Sequence, residues 1–162
     1  MAWTASKIFS SLVTDSLAKT TLMDLNADTM NAALYDTSVT PDQTVTSANT
    51  AYGAGVWAAG HLTDTGTSAP AGWPTVGRPL VTPTVTFGTN VVTFDAVDTV
   101  SANAVTTITA AFGCLIYSDT IVTPVADQGI CYLYFGGSQT VTLGTLTLVY
   151  AAPPDGLFKL TL

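Results

Sequence analysis

The chain has no glutamate, only four lysines and arginines, one histidine and two cysteines among its 162 residues, and each shortage closes off a class of function. Eleven aspartates against four cations leave a net charge of −7. Phosphate backbones are gripped by clustered Lys and Arg, whereas Lys7, Lys19, Arg78 and Lys159 are scattered without interleaved aromatics, which argues against a nucleic-acid partner. His61, the single histidine, is thin provision for general-base or nucleophilic catalysis. Two cysteines and one histidine fall short of a structural zinc set. The stretch Asp24-Leu25-Asn26-Ala27-Asp28-Thr29 places oxygens at alternate positions like the start of a helix-loop-helix calcium site, but no glutamate exists to close such a loop. It reads instead as an Asx turn leading into a strand. Neither a metal nor a cofactor is expected.

Long hydrophobic runs are also missing. Residues 99–118 and 128–154 carry no charge, but Thr, Ser, Gly and Pro interrupt both and their apolar positions alternate at short period, as in strands and not membrane helices. Near the N-terminus Lys7 is followed by only Ile8 and Phe9 before Ser10 and Ser11, and Asp15 comes soon after, so no export signal is read there. A reducing compartment is therefore the expectation. Cys114 and Cys131 lie in apolar strand candidates that could be neighbours; a disulfide is open in principle, with buried free thiols the expectation.

What the chain does have is apolar and β-branched. Hydrophobic residues make up 48% and charged residues 9%, far from the signature of disorder. A single domain of this size buries ~70% of its unfolded surface, enough for one core. Thr, at 30 residues, suits a pleated surface while presenting a hydroxyl outward, so Thr-rich and Glu-free reads as sheet. A charge-poor surface also suits burial between subunits.

Along the chain, Trp3, Ile8, Phe9, Leu12, Val13 and Leu17 approximate one face of an amphipathic helix over residues 3–19, within an N-terminal segment 1–22. That face packs on the chain's own sheet or docks on a partner. Residues 28–35 alternate, with Met30, Ala32 and Leu34 on one side, giving a first strand. Residues 38–51 are a polar loop or short edge element. Residues 52–78 hold six Gly, two Pro, Trp57 and Trp73 in no regular period and read as a long ordered loop around one short strand. Two β-rich runs, 80–87 and 91–96, flank Gly88-Thr89-Asn90 and form a hairpin. Four further strand candidates, 106–117, 130–135, 140–150 and 157–162, are divided by Pro124, Gly136-Gly137 and Pro153-Pro154. One helix followed by seven to nine short strands predicts a mainly β fold, a single jelly-roll-like β-sandwich domain over residues 1–162 with the helix at its side.

Two motifs suggest chemistry and are better explained by structure. Gly53-Ala54-Gly55-Val56-Trp57-Ala58 superficially resembles a dinucleotide-binding loop, but no βαβ alternation surrounds it. Asp95 and Asp98 are the closest carboxylate pair for a glycosidase-like mechanism, yet their spacing at a strand end suits turn capping. No enzyme is therefore expected. The aromatics are the remaining functional clue. Trp3 and Phe9 on the helix, and Tyr52, Trp57 and Trp73 in the Gly-rich segment, are the candidate interface residues. The rings of the Gly-rich segment have three open uses: anchoring a subunit interface, stacking on a sugar, or roofing the fold's own end.

Taken in order, several stretches resemble a group of small tailed-bacteriophage structural proteins that open with a short amphipathic helix and continue into an Asp-Thr strand. They are Asp28-Thr29-Met30-Asn31-Ala32-Ala33-Leu34-Tyr35-Asp36, a polar loop with Thr40-Pro41, Ala59-Gly60-His61-Leu62, and Val92-Thr93-Phe94-Asp95-Ala96. Phe112-Gly113-Cys114-Leu115-Ile116-Tyr117-Ser118-Asp119-Thr120 and Leu133-Tyr134-Phe135-Gly136-Gly137 complete the series. The resemblance spans nearly the whole chain and implies a virion component assembled in the bacterial host cytoplasm, a capsid decoration or minor capsid protein whose partner is the major capsid protein. The alternative it implies is a minor tail protein; a tail or fibre-associated role would give Trp57 and Trp73 a use as a host carbohydrate-binding face. No catalytic or metal residues come with it. Closed symmetry is usual for homo-oligomers, and a shell offers threefold positions, so a trimer is the expected state. The sequence departs from the group in its Trp-containing insertion between Leu62 and Arg78 and its shortage of Lys and Glu.

Overall fold

A computed structural model describes residues 3–19, 23–66, 71–152 and 155–162. The chain is mainly β, with strands β1 (Lys7–Ile8), β2 (Met30–Tyr35), β3 (His61–Leu62), β4 (Arg78–Pro79), β5 (Val81–Gly88), β6 (Val91–Val97) and β7 (Thr99–Val100). They continue with β8 (Thr106–Ser118), β9 (Gly129–Gly144), β10 (Thr147–Leu148) and β11 (Phe158–Thr161). Helix α1 covers Ser10–Ala18, α2 is a single turn over Ser47–Thr50, and Gly55–Ala58 forms a 3₁₀ turn. All pairings are antiparallel. A six-stranded sheet has the order β1-β9-β8-β2-β3, with β4 also on β2; β11-β6-β5 form a three-stranded sheet and β10-β7 a two-stranded one. The sheets share a single cluster of buried residues, an arrangement consistent with a β-sandwich.

Strand β2 is an interior strand of the large sheet. Its six residues are all buried: β8 lies along one edge, β3 and β4 lie end to end along the other, and Trp57 and Trp73 of the segment between β2 and β5 pack against it. The alternation of Met30, Ala32 and Leu34 thus marks one of two covered faces. The hairpin forms as expected, with Asn90 at φ 59 in its turn and a register slip between Val81 and Thr84.

Two expectations are corrected. The helix spans Ser10–Ala18 and not residues 3–19: Lys7 and Ile8 pair with Tyr132 and Cys131, and Phe9, extended at φ −71 and ψ 131, is the N-cap. Trp3, Ile8 and Phe9 therefore sit on an extended segment, and only Leu12 of α1 is buried. Residues 1, 2 and 20–22 of the N-terminal segment, and the Pro153-Pro154 divider, lie outside the described residues. The second correction concerns Gly136-Gly137, which does not end a strand. Strand β9 runs through it, because Gly113 pairs with Tyr134 while Ala111 pairs with Gln139, so four residues of β9 bulge against the one residue Phe112 of β8. Gly136 and Gly137, at φ 79 and 154, supply the backbone that this bulge needs. The run expected over 140–150 is divided accordingly between the end of β9 and the short β10.

Candidate functional site

The long segment 52–78 is a cover for β2, and its aromatic residues are what holds it there. Trp57 and Trp73 are fully buried at 0% exposure, as is Phe9, and Trp3 is at 2%. Trp73 donates its indole N–H to the Ala32 carbonyl at 3.1 Å, and Trp3 donates to the Asp36 carbonyl at 3.0 Å. Trp57 meets Trp3, Phe9, Tyr35 and Tyr132 with ring centroids 5.9, 6.1, 5.0 and 6.0 Å away. Tyr52, half-buried, stacks on Tyr117 at 4.7 Å and 14°. Of the candidate interface residues, Trp3, Phe9, Trp57 and Trp73 are therefore core, and a partner or sugar finds no ring surface on them. This is the third of the open uses, in which the rings roof the fold itself. Sequence reasoning missed Tyr35, Tyr117 and Tyr132, which complete the cluster from regular strands.

Gly77 and Asp64 fix the same segment. At Gly77, φ 90, a Cβ would lie 2.3 Å from the Ala32 carbonyl oxygen, so only glycine lets the cover approach β2. Asp64, at 9% exposure, accepts backbone N–H bonds from Gly66, Gly72 and Thr107, each at 2.7 Å. Neither role has a local sequence signature.

His61 sits between Tyr35 and Tyr52, with ring centroids 4.9 and 4.8 Å away. Burial holds its pKa below the ordinary value, against the opposing effect of a backbone hydrogen bond to Trp57, and its Nε2 has no hydrogen-bond partner. The imidazole is thus a neutral ring within an aromatic stack. The folded state disfavours the proton that the unfolded chain takes up near pH ~6.5, so stability is full above that value and is lost as pH falls below it. Nearby Asp127, whose pKa burial and Asp119 raise, contributes with the opposite sign. We expect His61→Phe to flatten the low-pH decline specifically, which thermal unfolding of both proteins at pH 5.5 and 7.5 would measure; parallel declines would exclude His61 as its source.

The other sequence candidates are committed to backbone. Asp24 Oδ1 accepts the Asn26 N–H at 2.9 Å and Asp28 Oδ2 accepts the Asp24 N–H at 2.9 Å, which is the expected Asx turn. Among the described residues no group of three or more His, Cys, Asp or Glu is placed to hold a metal. Asp95, within β6, accepts the N–H of its neighbour Ala96, and Asp98 accepts the N–H of Tyr150, 52 residues away, so neither caps a turn as expected and Asp98 instead ties the end of β6 to the segment after β10. Gly55–Ala58 is a single 3₁₀ turn over buried Trp57. Cys114 and Cys131 are free and buried on adjacent strands; burial pushes the Cys114 thiol up to about 12 and raises Cys131 well above its usual value. They are inert side chains of the core.

Two uncharged surface features remain. One is an apolar groove of about 210 Å³ between α1 and the three-stranded sheet, lined by residues including Leu12, Leu17, Met23, Val92, Phe94 and Leu160. Phe87 pairs with Val92 and so shares the groove's face, and Leu162, which bonds the Asn90 carbonyl, follows Leu160 on it. Leu17, Phe87 and Leu162 are 85%, 74% and 77% exposed, which makes an apolar rim. The period-2 spacing of Val85 and Phe87 was the available sequence signal. The other is a cleft of about 790 Å³ beside the β9 bulge. Among the described residues no helix is long and apolar enough to cross a membrane. Comparison with family models, curated proteins and solved structures finds no match to this chain.

Proposed function

We propose that this chain is a non-enzymatic structural component of a tailed-phage virion, a capsid decoration protein that sits as a trimer on the major capsid protein. The observation that carries the reading is the apolar rim of Leu17, Phe87 and Leu162 around an uncharged groove, on a chain with few charges to keep it solitary. Clustered exposed apolar side chains mark sites of protein association, and charge depletion at the centre of such a patch is what subunit interfaces show. The series of motifs that resembles small tailed-phage structural proteins is what points this reading to a virion. We read the six-stranded and three-stranded sheets as the layers of a jelly-roll-like sandwich whose α1 edge faces the shell.

The test is the copy number in purified virions by quantitative mass spectrometry against the major capsid protein. A near-stoichiometric ratio is expected; a handful of copies would place the protein at the tail or a single vertex, and absence from the particle would overturn the proposal. A variant sharpens it. Phe87→Asp puts a charge on a side chain already exposed, so its melting temperature should stay within about 2 °C of the parent, as for surface changes within ±0.5 kcal/mol. Its retention on empty capsids in a co-sedimentation assay should fall about tenfold or more. Undiminished retention would remove the rim from the interface.

A further inference from the structure

We propose that the cleft beside the β9 bulge is a binding site for neutral oligosaccharide, independent of where the protein sits in a particle. The cleft lies between the distal half of β9 and residues 145–151, with Gly156 and Leu157 at its margin, and at about 790 Å³ it falls within the range of small-ligand sites. It exists because β9 bulges. Phe135, Gly136, Gly137 and Ser138 stand against the one residue Phe112, and Ala110 on the partner strand takes φ 59, so the sheet bends here.

Its lining decides the ligand. All of the side chains around it are uncharged, so nothing in the wall pairs with a phosphate, a carboxylate or an ammonium group. The chain's net charge of −7 further disfavours anions. A wholly apolar ligand fits poorly, because Gln139, Thr140, Thr145 and Thr147 place an amide and three hydroxyls on the wall. The hydroxyls of Thr145, Thr147 and Tyr134 make no hydrogen bond to described residues, and Thr140 Oγ1 accepts from the Ala110 N–H with its own proton unspent. Between these donors and acceptors lie two half-buried rings, Tyr134 and Phe135. Tyr134 is backed by Trp3, stacked at 6.5 Å and 22°, which fixes its plane. A pyranose offers the complement: C–H faces for rings, many neutral hydroxyls and no charge. Uncommitted hydroxyls beside a braced ring are provision for that ligand, whereas the apolar groove at α1 offers only packing.

The experiment is a ¹⁵N-edited NMR titration of the full chain with neutral tetrasaccharides of glucose, galactose and N-acetylglucosamine, with a sialylated and a uronic-acid tetrasaccharide alongside. At least one neutral sugar should give saturable amide shifts confined to residues 133–141 and 145–151. Phe135→Ala and Gln139→Ala should each weaken it about tenfold or more; Gln139 is exposed, so its variant should leave the melting temperature unchanged and keeps the test valid if loss of the half-buried Phe135 ring loosens the fold. No shift with any neutral sugar, equal or stronger binding of the acidic ones, or unchanged affinity in the Gln139 variant would each overturn the proposal. So would cleft shifts that depend on protein concentration without sugar, which would seat a second copy there.

Discussion

Replacing Asp64 with alanine is expected to destabilise the fold by about 4 kcal/mol, read as a lowered urea midpoint at unchanged m-value. The carboxylate gathers the N–H groups of Gly66, Gly72 and Thr107 at 2.7 Å each, and its own N–H donates to the Trp73 carbonyl at 2.8 Å. It thereby joins the covering segment to the start of β8. Truncation leaves these donors without their acceptor in a place where Gly72 is buried against Thr106, and each orphaned group costs ~1–3 kcal/mol, less where water follows it in. Hydrogen bonds to a charged acceptor are the stronger kind. Asp64→Asn should be intermediate, because an amide keeps one acceptor oxygen and turns an NH₂ toward the remaining donors. A loss below about 1 kcal/mol in the alanine variant would mean that water replaces the carboxylate freely. Against the ~5–15 kcal/mol that holds a typical domain, the expected loss is large for a single side chain.

How far the sequence reveals this fold depends on whether a feature is local. The β5–β6 hairpin is legible because its alternation and its Gly88-Thr89-Asn90 turn lie within a few residues of each other. The Asx turn at Asp24 is legible for the same reason. Helix α1 was overextended because Trp3, Ile8 and Phe9 have helical spacing but a different reason for being apolar: Lys7 and Ile8 complete the edge of β9, and Trp3 and Phe9 reach into the ring cluster. Gly136-Gly137 looks like a strand break, and the residues that make it a bulge are on β8, more than 20 positions away. Asp64 and Gly77 are invisible in sequence since their partners, Thr107 and Ala32, are brought to them only by the completed sheet.

The sorting of apolar residues explains why the candidate site moved. With so few charges, this chain separates its surface from its core by size and shape. The three Trp residues are all buried to 2% exposure or less, while eight of the twelve exposed large apolar side chains are Val. Small β-branched residues share the outer pleats with Thr at modest hydration cost, and the rings, which gain most from burial, go inside. A prominent aromatic is then weak evidence for a binding surface here. The better evidence is an exposed side chain larger than Val, which picks out Leu143 on β9 and the three residues Leu17, Phe87 and Leu162 that gather at one groove, or a polar group left uncommitted, which directs attention to the cleft.

Trp57→Ala is expected to cost the isolated chain about 4 kcal/mol, the scale for deleting a fully buried large aromatic. The ring contacts four others, and its backbone carbonyl accepts the Tyr35 hydroxyl at 3.1 Å, so its loss leaves a cavity where the N-terminal segment, β2, β9 and the covering loop meet. Relaxation around such a junction is limited because Tyr35 and Tyr132 are held in β2 and β9, and Trp3 and Phe9 are tied by hydrogen bonds to the Asp36 and Ile130 carbonyls. Trp57→Phe should cost much less: a six-membered ring still fills most of the space, and the substitution removes an indole N–H that is buried without a hydrogen-bond partner. The pair of variants separates the two meanings of this residue. Had Trp57 been a docking anchor, alanine would leave the free chain's unfolding midpoint unchanged and act only on association. A large drop in midpoint for alanine with a small one for phenylalanine assigns the ring to the core.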